Sequence, residues 1–150
     1  PKLDLIVRAA DCQNFAIFVP EKNIIGVLHS GWKGLVAGAI PEFFSVLERE
    51  FDTKAAEAFV AAGPSLCSKC AEFSDPISEL PGIDQKFFSG RLVDLQSIAD
   101  QQLFDAGVPK SHLERHPDCT LCKNDVYLSY RGTDRNSVKN GQSNMLVLTI

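Results

Sequence analysis

A chain of 150 residues is long enough to bury one real core and too short for two comfortable ones. Its 15 Lys and Arg against 19 Asp and Glu give a net charge of −4 with no block of like charge, which argues against nonspecific nucleic-acid binding and against docking on an anionic membrane. With 45% hydrophobic and 23% charged residues and no apolar run of bilayer-spanning length, the composition is that of a soluble globular domain whose partner is a small molecule or a protein.

The sequence opens almost directly into Leu5-Ile6-Val7, without a basic, apolar leader. It reads either as a domain compact from its first residue or as one with a part upstream. Leu5 to Ala9 reads as a buried strand ending at Ala10-Asp11-Cys12. Phe15 to Val19 and Ile24 to Leu28 are two more, joined by the hairpin-like Pro20-Glu21-Lys22-Asn23. After His29-Ser30-Gly31-Trp32-Lys33-Gly34 the period changes. Val36, Ile40, Phe43, Leu47 and Phe51 form a helical stripe, with Pro41 predicting a kink or a late start. Ala58 to Ala62 reads as a strand stopped by Gly63-Pro64, and residues 67–90 are irregular. Asp94 is placed to cap a helix carrying Leu95, Ile98, Ala99, Gln102, Leu103 and Ala106, with Gly107 as its stop. Residues 118–131 are irregular again, and Met145 to Ile150 reads as a final strand.

Four constellations could carry chemistry. Cys12 and His29 each end a predicted strand, so neighbouring strands would bring them to one sheet edge. A thiolate and an imidazole there suit zinc or copper, or a nucleophile and base, though a lone Cys and a lone His also serve as ordinary core or surface residues. The turn from His29 to Gly34 resembles a strand-to-helix junction with outward N–H groups, an anion site to which Lys33 adds charge; equally, Trp32 could be a core anchor beside plain turn glycines. Cys67-Ser68-Lys69-Cys70 and Cys119-Thr120-Leu121-Cys122 are two C-x2-C knuckles, the ligand inventory of a structural tetrathiolate zinc site. The alternative is a set of unrelated thiols or disulfides, and His112 and His116 are expected on the surface. Ser129-Tyr130-Arg131, with Asp134 and Arg135, offers guanidinium groups that bind phosphate well but often decorate a solvated loop. Five cysteines without a secretory signal favour a reducing compartment, so the cytoplasm is the expected location.

In order along the chain, several segments resemble the YfiH-like family, whose members are described as polyphenol oxidase (laccase-domain) proteins and as purine nucleoside phosphorylases. They are Ala10-Asp11-Cys12, His29 to Gly34, Gly63-Pro64-Ser65-Leu66, Cys70-Ala71-Glu72-Phe73, Val93-Asp94-Leu95, Gln102-Leu103 with Gly107-Val108, Cys119-Thr120 and Ser129-Tyr130-Arg131. The resemblance implies an α/β fold, a layered α/β/β/α sandwich with mixed sheets, in a single laccase-domain unit over residues 1–150. It also implies a mononuclear zinc held by one Cys and two His. Cys12 and His29 match two of these ligands; the third, in an upstream Q-x-H-G motif, has no match here, nor has the S-T-R-x-G-G-x-S pocket segment. The chain thus resembles the C-terminal majority of a family member, or a naturally short relative. Asn14 replaces a family Pro, Lys33 an Arg, Gly132 an Arg and Gln142 an Arg, changes that bear on catalysis more than on fold.

The activity implied is zinc-dependent phosphorolysis of adenosine, inosine and methylthioadenosine, with adenosine deamination as a further possibility. Purine nucleoside and phosphate would be the partners, with no nucleic acid and no membrane. Cys12 and His29 would hold the metal, and Gly31, Trp32, Lys33, Gly34 and Arg131 would line the substrate and phosphate site. Asp11 is assigned beside them as general acid or base, or as a positioning group, on adjacency alone. Three rivals are a copper phenol oxidase, a cysteine hydrolase of peptidoglycan precursors with Cys12 as nucleophile and His29 as base, and a noncatalytic zinc-stapled domain. One Cys without a His or Met cluster is poor equipment for the first.

Overall fold

The computed structural model describes residues 3–150. Along the chain the elements are β1 (Asp4–Ala9), β2 (Gln13–Val19), β3 (Ile24–Ser30), α1 (Trp32–Val36), α2 (Ala39–Phe51), β4 (Phe59–Ala62) and α3 (Pro76–Glu79). They are followed by β5 (Phe88–Ser89), β6 (Leu92–Val93), α4 (Leu95–Asp105), β7 (Leu113–Arg115), α5 (Arg135–Lys139) and β8 (Asn144–Thr149). The fold is α/β with mixed sheets. One sheet has the order β3-β2-β4-β7, antiparallel except for the parallel β4/β7 pair, and β1 with β8 forms a second, antiparallel sheet.

Strand alternation creates the layers. Phe15, Ile17 and Val19 of β2 are buried toward the helices, in one core with Ile40, Phe44 and Leu47 of α2 and Ile98, Ala99 and Leu103 of α4. The opposite face meets β1 and β8, giving layers α, β and β in that order. On the far side of β1–β8, Ile6, Met145 and Val147 stand 57%, 65% and 55% exposed. Pro20–Lys22 closes the β2–β3 hairpin as a 3-10 turn, with Asn23 left-handed at φ 50°, a conformation that Asn tolerates.

The long helical stripe needs correction. The helix breaks at Gly38 (φ 75°), so Val36 belongs to the one-turn α1 and α2 starts late. Pro41 is the third residue of α2, where its missing N–H is one of the donors a first turn leaves unpaired. The buried stripe is Ile40, Phe44 and Leu47; Phe43 is half-buried and Phe51 is 53% exposed. The α4 expectation agrees with the structure: Asp94 Oδ1 and Oδ2 accept from Ser97 N–H and Ser97 Oγ at 3.0 and 2.9 Å, and Gly107 is left-handed at φ 106°. The irregular stretch 67–90 also holds α3 and β5, and α5 follows the second one, elements too short for periodicity to reveal. Among the described residues no helix is long and apolar enough to cross a membrane.

Candidate functional site

The β2–β3 ladder pairs Gln13 with Ser30 and Asn14 with His29, so Cys12 lies one step beyond its end, facing Gly31. A Cβ built on Gly31 would stand 2.8 Å from Cys12 Sγ; only a glycine leaves the sulfur its present place. Gly31 and His29 project to the same face, so His29 is a diagonal neighbour of Cys12, with a separation of about 7–8 Å typical of such positions. Buried Asn14 lies opposite His29 on that face, and its Oδ1 has no hydrogen-bond partner.

Asp11 organises the strand end. It is buried, adopts φ 84°, and accepts from Thr120 Oγ1 at 2.7 Å through Oδ1 and from the Arg131 backbone N–H at 2.9 Å through Oδ2. Its carbonyl accepts from Leu66 N–H at 3.2 Å. One residue therefore fastens the loops at 66, 120 and 131 to the base of β2. Gln13, absent from the expected site, buries its amide between the Leu95 carbonyl (2.8 Å) and Arg115 Nη1 (2.9 Å), and Arg115 in turn pairs with Asp100. A polar residue at a core-facing strand position was the signal that could have marked it.

A cleft of about 890 Å³ opens at this end of the sheet. Asp11, Cys12, Gly31, Trp32 and Arg131 line it, joined by Tyr130 and Arg135. Trp32 packs edge-on against Phe73 with 5.9 Å between centroids, and Arg135 stacks 4.8 Å from the Tyr130 ring. Arg131 stacks 5.2 Å from Phe73 while its Nη1 donates to the Glu72 carbonyl. Lys33, Gly34 and His29 lie outside the lining: exposed Lys33 reaches over the Trp32 ring at 5.4 Å, and Gly34 backs onto Ser30 Oγ. With only five residues in α1, the expected helix-terminus anion site lacks the aligned peptide dipoles that would create it.

Burial, and then the Asp11 carboxylate, pushes the Cys12 thiol above its ordinary range, against a smaller downward pull from Arg131. Partial burial lowers the His29 imidazole. Both shifts favour the neutral forms and so disfavour a thiolate–imidazolium pair, which a cysteine hydrolase would need. Zinc takes one thiolate and one neutral imidazole readily. The shared face, the room left by Gly31 and the unpartnered Asn14 Oδ1 are compatible with such an ion, which Cys12 and His29 would hold as two of its ligands.

The other four cysteines converge. The sulfurs of Cys67, Cys70, Cys119 and Cys122 all lie within 4.8 Å of one another, the only group of three or more potential ligand residues among those described. All five cysteines are free thiols. Burial opposes ionisation of Cys119, but backbone N–H groups of Cys122 and Cys67 aimed at its sulfur bring it down to about 7. Of the remaining histidines, His112 is half-buried and stacks on Phe59 at 4.0 Å, its Nδ1 3.2 Å from the Ala58 carbonyl. His116 is exposed beside Tyr127.

A mixed α/β fold with a cysteine-bearing cleft at the end of its main sheet defines the class, and comparison with known proteins narrows it. Residues 1–149 match the family described as multi-copper polyphenol oxidoreductase laccase, and the chain belongs to that family. It is 26% identical to a purine nucleoside phosphorylase of Bacteroides thetaiotaomicron over 152 aligned residues, covering 95% of this chain and 55% of that protein. It is 27% identical to purine nucleoside phosphorylase YlmD of Geobacillus stearothermophilus, covering 81% and 48%, and 26% identical to adenosine deaminase RL5 of an unknown prokaryote, covering 87% and 53%. Among solved structures, Bacillus licheniformis hypothetical protein YfiH superposes with a TM-score of 0.84 at 24% identity, over 98% of this chain and 57% of that one. The chain thus spans about half the length of these relatives.

Proposed function

We propose that this chain supplies the thiolate, one imidazole and the anion-binding wall of a zinc-dependent purine nucleoside phosphorylase acting on adenosine, inosine and methylthioadenosine. The observation that carries the reading is the cleft, lined by Cys12 together with Trp32, Tyr130, Arg131 and Arg135. Its volume suits a nucleoside with phosphate, since ligand pockets run about 300–1,000 Å³. Two relatives named as purine nucleoside phosphorylases support the same substrate class. Zinc when bound would act as a Lewis acid toward the substrate.

In this reading the aromatic rings of Trp32 and Tyr130 flank the purine, while the guanidinium groups of Arg131 and Arg135 attract and orient phosphate. An oxygen of hydrogen phosphate attacks the ribose anomeric carbon, the bond to the purine nitrogen breaks with its electron pair on the base, and the proton that the phosphate carried ends on the base, leaving ribose 1-phosphate as the dianion. Asp11 serves by position: both its oxygens accept hydrogen bonds that hold Cys12, Thr120 and Arg131 together. Two donors leave a zinc site incomplete, and the reading takes a third from outside the matched half, so the test uses the protein from its complete reading frame. Inosine incubated with phosphate is expected to yield hypoxanthine and ribose 1-phosphate, with no yield when phosphate is omitted. Release of free ribose, or no release from zinc-loaded protein, refutes it. Inosine formed from adenosine without base release would instead favour the deaminase activity named for one relative.

A further inference from the structure

We propose that Cys67, Cys70, Cys119 and Cys122 bind one zinc ion as a closed tetrathiolate site, separate from Cys12 and His29, that clamps the 65–73 and 118–127 loops into one wall of the cleft. Tetrahedral zinc with Zn–S bonds of about 2.3 Å sets its four sulfurs about 3.8 Å apart. The four sulfurs here lie within 4.8 Å of one another, with Cys70 and Cys122 at 3.5 Å, so movements of up to about half an ångström per sulfur complete the tetrahedron.

The backbone is arranged around the sulfurs. A parallel bridge joins Ser65 to Cys119, and Thr120 N–H donates to the Ser65 carbonyl at 3.3 Å. Cys70 N–H donates to the Cys67 carbonyl at 3.0 Å and Lys123 N–H to that of Cys119 at 2.9 Å, closing a turn at each knuckle. Across the knuckles, Cys67 N–H points at Cys119 Sγ at 3.3 Å. Zinc with four thiolates carries two net negative charges, and each knuckle has an exposed lysine, Lys69 and Lys123, to offset them. Four protein sulfurs leave no open coordination position, which makes the ion structural. Its mechanical role follows from its neighbours: Cys70, Leu66 and Leu121 line the cleft, and Thr120, between two ligands in sequence, bonds to Asp11. Neither loop belongs to a helix or strand named above; the first is anchored at its two ends, by Leu66 N–H to the Asp11 carbonyl at 3.2 Å and by Phe73 N–H to the Arg91 carbonyl at 2.9 Å, and the cysteine cluster joins it to the second.

The test is metal analysis of the purified full-length protein, with Cys12→Ala used to remove the other candidate site. Cys12→Ala is expected to retain one zinc per chain, and Cys12→Ala with Cys119→Ser and Cys122→Ser to retain none. Cobalt-loaded Cys12→Ala should show intense thiolate-to-cobalt charge-transfer bands with tetrahedral ligand-field bands. This readout leaves the four cysteines intact, so it holds even if the triple variant fails to fold. Removing zinc from Cys12→Ala should also speed amide exchange in residues 65–73 and 118–127 beyond the rest of the chain. Iron or copper in place of zinc, two disulfides in the metal-free protein as isolated, or a cobalt spectrum lacking thiolate bands overturns the proposal. None of these outcomes depends on whether the cleft cleaves nucleosides.

Discussion

Removing the Asp11 side chain probes the joint on which the cleft is hung. Asp11 holds a left-handed backbone at φ 84° and accepts two hydrogen bonds in a buried setting, 2.7 Å from Thr120 Oγ1 and 2.9 Å from Arg131 N. A hydrogen bond to a charged group contributes about 1.5–3 kcal/mol, so losing both at the lower figure costs about 3 kcal/mol. A positive φ without a side chain that favours it adds about 1 kcal/mol, giving about 4 kcal/mol for Asp11→Ala. Asn tolerates the left-handed region and still accepts from Arg131 N–H, so Asp11→Asn should cost about 1–2 kcal/mol. With a urea slope of about 2 kcal/mol per molar, these losses lower the midpoint by about 2 M and about 0.5–1 M, with the slope unchanged. An Asp11→Ala midpoint within about 0.5 M of wild type, or an Asn variant as damaged as the Ala one, would refute the reasoning.

Three further outcomes can be checked independently. Gly31→Ala places a methyl 2.8 Å from Cys12 Sγ and drives the thiol off its rotamer at a cost of about 1 kcal/mol; zinc titration of the Cys12 site should show about fivefold weaker binding, and unchanged affinity would contradict it. In metal-free protein, Cys12 should resist alkylation at pH 9.0, the ordinary thiol value, because its folded value is raised. The unfolded chain then releases that proton first, so stability falls as pH rises above 9.0, and Cys12→Ala should flatten the fall in urea midpoints between the ordinary and folded values. Asp94→Ala removes the cap of α4 and should cost about 1 kcal/mol in urea unfolding; a loss near zero would show that the Ser97 contacts contribute nothing.

What the sequence revealed follows the reach of each signal. Strands β2 and β3 and helix α4 were legible because each carries its own period and its own stop: Pro20 to Asn23 for the hairpin, Asp94 and Gly107 for the helix. The stripe from Val36 to Phe51 misled because apolar spacing alone does not register a break at Gly38, and Phe51 keeps the spacing while the helix end leaves it in solvent. Cys12 and His29 were expected at one sheet edge as the ends of two neighbouring strands, but β1 lies in the other sheet, and it is the start of β2, paired with β3, that sets Cys12 beside Gly31. Thr120 meeting Asp11 and Arg115 meeting Gln13 join residues more than 100 positions apart, and no local pattern announces them. Tyr130 and Arg135 stood open between a phosphate site and a solvated loop because their place in the cleft wall depends on the long-range bond from Arg131 N–H to Asp11. The two cysteine knuckles could be read across a gap of 48 intervening residues because the spacing within each is a chemical signature in itself.

The most direct test is phosphate-dependent base release from inosine by zinc-loaded full-length protein, compared with its Cys12→Ala and His29→Ala variants, each verified as folded. Turnover is expected to require phosphate and to collapse in both variants. Undiminished phosphorolysis in either variant, or turnover of phenols with copper and none of inosine with zinc, would contradict it.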